Sequence, residues 1–62
     1  MNERIIINPA ICNGRPIIRG TRITVISILE FLAADNSVED VLGEYSSLVR
    51  EDVLVCLEYA FR

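Results

Sequence analysis

Histidine and lysine are both absent from this 62-residue chain, and cysteine occurs only twice, at Cys12 and Cys56. Without histidine, the commonest general base and metal ligand is missing. Neither thiol has the imidazole partner that activates a cysteine nucleophile. Two cysteines also fall short of the four Cys/His ligands of a structural zinc. No phosphate-cradling loop is present, since "GRPIIRG" matches neither nucleotide-binding fingerprint. The carboxylates lie at helix starts and in polar strips, where capping and solubility account for them. A chain this short also has little room for a concave pocket. The sequence therefore predicts a protein that is not an enzyme and uses neither metal nor cofactor.

Long hydrophobic runs are missing too. The longest, "ITVISILEFLAA", is interrupted by Glu30 and is shorter than the roughly 20 residues that cross a bilayer. The N-terminus has acidic Glu3 before Arg4 and lacks the apolar core of a signal peptide. The expectation is a cytoplasmic protein with reduced cysteines and no membrane partner.

What is present is apolar. Hydrophobic residues make up 52% of the chain and the mean hydropathy is +0.39. A domain of this size buries only about 60% of its unfolded surface. Its core rarely supplies more than about 3–5 kcal/mol, so small natural domains add disulfides, metals or a partner chain. With the first two devices short of residues, association with another chain is expected, in the simplest case as a homodimer.

Charge is distributed unevenly. Residues 1–24 carry four arginines against Glu3, a net of +3, while residues 25–62 carry Arg50 and Arg62 against eight carboxylates, a net of −6. A basic front joined to an acidic back points to two surfaces with different partners.

Local signals divide the chain into one domain, a β-arm over residues 1–23 and a three-helix body over residues 24–62. "RIII" at residues 4–7 is β-branched and reads as a strand, ended by Asn8-Pro9. Asn13-Gly14 is a turn dipeptide that tolerates positive φ. Arg15, preceding Pro16, is pushed towards extended geometry. "PII" reads as a second short strand, at an edge because Pro16 has no N–H to donate, and Gly20-Thr21 turns the chain again. Thr24 caps a helix running to about residue 35, with Asn36 as its left-handed terminator. Ser37 caps a second helix to about residue 45, with Asp40 at its third position. A third runs over about residues 50–61, with Glu51 and Asp52 in its first turn. The spacing of the last two is compatible with a helix-turn-helix.

At 100° per residue, Val25, Ile26, Ile28, Leu29, Leu32 and Ala33 cover most of the first helix. The polar strip is Ser27 and Glu30, with Phe31 at its edge. On the third helix, Val53, Leu54, Cys56, Leu57, Ala60 and Phe61 form one wide apolar face. Val55 and Tyr59 fall on the opposite side with Asp52, Glu58 and Arg62. A surface helix of a globular protein has a single apolar stripe. The surplus makes Phe31, Val55 and Tyr59, with Ile5 and Ile7 of the arm, the candidate protein-interface residues.

Arg15, Arg19 and Arg22 sit on turns and edge strands, where a planar, permanently charged fork suits phosphate or carboxylate. They are either solvated, paired with acids such as Glu30, Asp40 or Glu44, or in contact with nucleic acid. A helix that reads base edges displays Arg, Lys, Asn or Gln, whereas the third helix displays Glu51, Asp52 and Glu58. Any DNA contact is thus expected to be led by Arg15, Arg19 and Arg22 of the arm, the third helix not entering the groove deeply.

The ordered run I-x-x-x-x-x-C-x-G-x-P-x-I-x-G-T-R-I (Ile6, Cys12, Gly14, Pro16, Ile18, Gly20, Thr21, Arg22 and Ile23) resembles the signature of the domain of unknown function 433 family. The likeness continues through "VISILEFLAA", "SVEDVLGEY" and L-x-x-E-D-V-L-x-x-L-x-Y-A, and so covers nearly the whole chain. The resemblance implies a mainly α fold, with a short N-terminal β-arm followed by a homeodomain-like three-helix body. It also implies similarity to VapB-type antitoxins: dimers that silence a PIN-like ribonuclease encoded beside them and repress their own operon. Two positions depart from the pattern. Asp35-Asn36 stands where the family often has glycine. The family's Y-P-x-L-[TS] becomes Tyr45-Ser46-Ser47-Leu48-Val49, and Val49 cannot cap the third helix as threonine would, a loss of about 1 kcal/mol.

The leading expectation is a dimeric antitoxin-like protein whose arm and first helix form the dimer and whose acidic C-terminal region binds a toxin. Two or three arginines per chain on phosphates would give a log–log salt slope near −4 to −5, at about 0.9 per phosphate. The alternatives are a protein-interaction module without a nucleic-acid role, and a small helix-turn-helix regulator unconnected to a toxin.

Overall fold

The computed structural model describes residues 3–61. Two short strands, β1 (Ile5–Ile6) and β2 (Ile17–Ile18), pair antiparallel with Ile5 opposite Ile18 and Ile6 opposite Ile17. Three helices follow: α1 (Val25–Ala33), α2 (Val38–Glu44) and α3 (Arg50–Ala60). The protein is mainly α with a β-arm, as expected.

The arm is sewn to the body. Within the arm the Arg19 N–H donates to the Arg4 carbonyl at 2.8 Å and the Ile18 N–H to the Ile23 carbonyl at 3.0 Å, while the Val25 N–H donates to the Pro16 carbonyl at 2.9 Å and ties the arm to α1. Ile17 and Ile18 are buried, and Ile18 belongs to the same core as Val25, Ile28, Val41, Leu48, Val53 and Cys56. With β-branched residues at both strands and at the inner positions of all three helices, this small core is stiff-chained and well defined by shape.

Helix boundaries follow the caps. Thr24 Oγ1 accepts the Ser27 N–H at 3.2 Å and starts α1. Ser37 and Asp40 form a reciprocal capping box on α2, with bonds of 3.1 and 2.8 Å. The left-handed residue after α1 is Asp35, at φ 71°, and not the expected Asn36. The reason lies in the Asn36 side chain, whose Nδ2 donates to the Phe31 carbonyl at 2.8 Å and so closes the helix end from one residue further on. Accordingly, α1 stops at Ala33.

The expected faces of α3 need a larger correction. Leu54 and Phe61, read as core, are exposed at 46% and 88%, and Ala60 is also exposed. Val55 and Tyr59, read as outward, are half-buried against the core. The pivot is Asp52, which sequence reading places in the polar strip and which is only 7% exposed. With its charge compensated inside, the helix turns so that Asp52, Cys56 and Tyr59 face inward. Leu54, Glu58 and Phe61 then face out. Arg62 lies outside the described residues.

Candidate functional site: the arginine-bearing arm

The arm's shape is built from short-range bonds. Asn8 Oδ1 accepts the Ala10 N–H at 2.9 Å, and the Asn8 carbonyl accepts from Ile11 at 2.9 Å. Cys12, Asn13 and Gly14 then pass through left-handed geometry in succession, at φ 53°, 57° and 77°. Such a run is tolerated by Asn and Gly and disfavoured for other side chains. Arg15 returns to extended backbone, φ −71° and ψ 146°, as its place before Pro16 requires. The second turn uses Gly20 at φ 80°. Thr21 Oγ1 holds that turn from both sides, donating to the Ile18 carbonyl at 2.8 Å and accepting the Ile23 N–H at 3.0 Å. The Cys12 thiol donates to the Arg22 carbonyl at 3.4 Å and ties the two turns together. Cys12, Gly14, Pro16, Gly20 and Thr21 therefore shape the arm, and the arginines are displayed on it.

Arg15, Arg19 and Arg22 are all exposed. Arg19 Nε donates to the Glu3 main-chain carbonyl at 2.6 Å. Among the described residues, no ion pair joins Arg15, Arg19 or Arg22 to Glu30, Asp40 or Glu44. The pairs that do form are Arg4 with Asp52, at 2.9 Å, and Arg50 with Glu39, at 3.0 Å. Neither was anticipated. The signal for the first was Val49, a capless residue followed three positions later by an acid: Asp52 Oδ2 accepts the Val49 N–H at 3.0 Å.

Of the candidate interface residues, Ile7 is 62% exposed. Ile5, Phe31, Val55 and Tyr59 are half-buried against the chain's own core, with Phe31 edge-on to Tyr45 at a ring separation of 6.1 Å. A groove of about 540 Å³ opens beside the arm, where Arg15 and Pro16 meet Ile26, Leu29 and Glu30 of α1 and Tyr59 of α3. Sequence reading did not bring these residues together.

The outer face of α3 has a different character. It displays Glu51, Leu54, Glu58 and Phe61, two acids beside two exposed apolar side chains. Among the described residues, no three His, Cys, Asp or Glu side chains converge as a metal site would require. Cys12 and Cys56 are free thiols. No helix among the described residues is long and apolar enough to cross a membrane.

Comparison with known proteins finds a relative in Sinorhizobium fredii, the uncharacterized protein y4eO, 36% identical over 58 residues. Those residues are 94% of this chain and 26% of the relative, so the chain spans about a quarter of that protein's length. No solved structure matches. The family described as protein of unknown function (DUF433) matches residues 5–60, from the first strand through the last turn of α3. With the arm's signature residues and all three helices inside that match, the chain belongs to the DUF433 family.

Proposed function

We propose that this chain is an antitoxin-like, dimeric binding protein of the cytoplasm, which holds operator DNA through its arm and a PIN-like ribonuclease through α3. The observation that carries this reading is the presence of two exposed sets of side chains of opposite charge. Arg19 and Arg22 flank the Gly20 turn in one, while Glu51, Leu54, Glu58 and Phe61 form the other. Guanidinium groups on an exposed turn suit phosphate oxygens. An acidic, partly apolar helix face is repelled by phosphate and suits a basic protein partner.

The test for the DNA half is fluorescence anisotropy with the DNA upstream of the protein's own gene. Two arginines per chain on phosphates give four per dimer and a log–log salt slope of about −4. The Arg19→Ala/Arg22→Ala variant should lose binding while helicity and dimerisation persist. A binding curve indifferent to salt, or no binding at low ionic strength, rejects this half. For the partner half, a PIN-like ribonuclease encoded beside this chain's gene should be inhibited by the wild-type chain, and less so by Phe61→Asp. Inhibition unchanged by that substitution removes α3 from the interface.

The rival reading, a protein-interaction module with no nucleic-acid role, draws support from the Arg19 bond to the Glu3 carbonyl, which already occupies one of the arm's guanidinium donors. Loss of folding in the double alanine variant would favour it.

A further inference from the structure

We propose that the groove between the arm, α1 and α3 receives a second copy of this chain, as a two-fold dimer in which Arg15 of each protomer pairs with Glu30 of the other. The inference rests on the dimeric reading above and names the surface that makes the dimer.

Two facts select a second copy as the occupant. The groove is lined mainly by apolar side chains, Pro16, Val25, Ile26 and Leu29 with the Tyr59 ring, and besides Ser27 carries one basic and one acidic side chain, Arg15 and Glu30. Among the described residues, neither charge has an ion-pair partner within its own chain. A surface with one charge of each sign and an apolar middle is complementary to itself, which is the requirement of a two-fold interface, where residue i meets j and j meets i.

The placement along α1 fits that symmetry. Pro16 accepts the Val25 N–H, which holds Arg15 beside the N-terminal end of α1. Glu30 lies five residues along the same helix, about 7.5 Å further on at 1.5 Å per residue. When two copies of α1 pack antiparallel about a two-fold axis at the level of Ser27 and Ile28, Val25 of each lies beside Glu30 of the other, and Arg15 comes over the opposite Glu30. Ile26 and Leu29, three apart on one face, then occupy the centre of the contact. Ile26, the second residue of α1, is 48% exposed in the single chain and so is available to the contact. Arg15 is thereby assigned to the dimer, leaving Arg19 and Arg22 for other ligands. A stable interface covers about 800 Å² per partner. That is about one-fifth of this chain's 4211 Å², so the contact extends from the groove along the outer side of α1.

The experiment is sedimentation equilibrium of the full chain without nucleic acid, over about 1–100 μM, a range that resolves micromolar association. Wild type should be dimeric in the upper part of that range. Arg15→Glu and Glu30→Arg should each weaken the dimer at least about tenfold, because the two-fold axis turns two attractions into two repulsions at once. The double swap Arg15→Glu/Glu30→Arg should recover most of the loss, a rescue that misfolding would not produce. Ile26→Asp should give a helical monomer by circular dichroism. A wild type that stays monomeric overturns both the inference and the dimeric reading. A dimer indifferent to both single reversals, or a double swap no tighter than either single variant, overturns this surface and leaves the dimeric reading standing.

Discussion

Arg4 and Asp52, 48 positions apart, form an ion pair of 2.9 Å that joins the start of the arm to the first turn of α3. Asp52 performs two tasks with its two oxygens: Oδ1 accepts from Arg4, and Oδ2 accepts the Val49 N–H, the half of a capping box that the acid at the third helical position supplies. It thus caps α3 from inside the helix and anchors the arm at the same point.

Removing the carboxylate should therefore cost more than removing its partner. Asp52→Ala loses the cap and the ion pair together, a destabilisation of about 2–3 kcal/mol. Arg4 is half solvated, which screens its contribution, so Arg4→Ala should cost about 1–2 kcal/mol. Urea denaturation of the three proteins checks the order, and equal midpoints for Asp52→Ala and wild type would contradict it.

Val49→Thr should stabilise the protein by about 0.5–1 kcal/mol. Val49 has the extended backbone of an N-cap residue, φ −113° and ψ 168°, and its side chain is about half exposed. A threonine hydroxyl there can accept an N–H of the first turn of α3 at little loss of packing. The urea midpoint should rise with the slope of the transition unchanged.

Two glycines should respond to alanine with opposite signs. Gly20 has φ +80° and Gly43 lies within α2, and a Cβ at either would meet nothing within 4 Å. Crowding is therefore not at issue, and backbone preference decides. Gly20→Ala forces a side chain into left-handed geometry and should destabilise by about 1 kcal/mol. Gly43→Ala should stabilise by about 0.5–1 kcal/mol through helix propensity and a less flexible unfolded chain. Thermal melts of the pair shifting in the same direction would refute this account.

The buried Cys56 makes stability fall in alkali. Burial, followed by the nearby Asp52 charge, pushes its thiol from 9.0 up to about 11. Below pH 9 the thiol is protonated in both the folded and the unfolded chain. Between about pH 9 and 11 only the unfolded chain loses the proton, so stability drops across that window, by an amount of the order of 2 kcal/mol. Cys56→Ala starts less stable because of the cavity it leaves, and should lack this part of the alkaline decline. The gap between the two proteins should narrow as the pH rises from 8 to 11. A constant gap, measured by urea denaturation across that range, would exclude the thiol as its cause.

The proposed surfaces differ in how far they can be read from the linear chain. Arg15, Arg19 and Arg22 stand out as an exposed set because the turn residues beside them, Asn13-Gly14 and Gly20, act over two or three positions. The groove does not stand out, because Arg15, Ile26 and Tyr59 come from three separate segments. Nor does the tie from the Cys12 thiol to the Arg22 carbonyl, a bond from a side chain to main chain ten residues on.

The caps of α1 and α2, the left-handed turns and the two isoleucine strands follow from neighbours within about four residues, and the amino-acid order alone specifies them. The rotation of α3 about its axis does not follow from that order. Apolar residues nearly encircle the helix, so periodicity indicates that it has a buried face without indicating which one. That choice falls to Asp52: an ionised carboxylate turns inward only where a counter-charge and a hydrogen bond meet it. The counter-charge is Arg4, 48 positions away in the arm, so the rotation of α3 is decided by a tertiary contact.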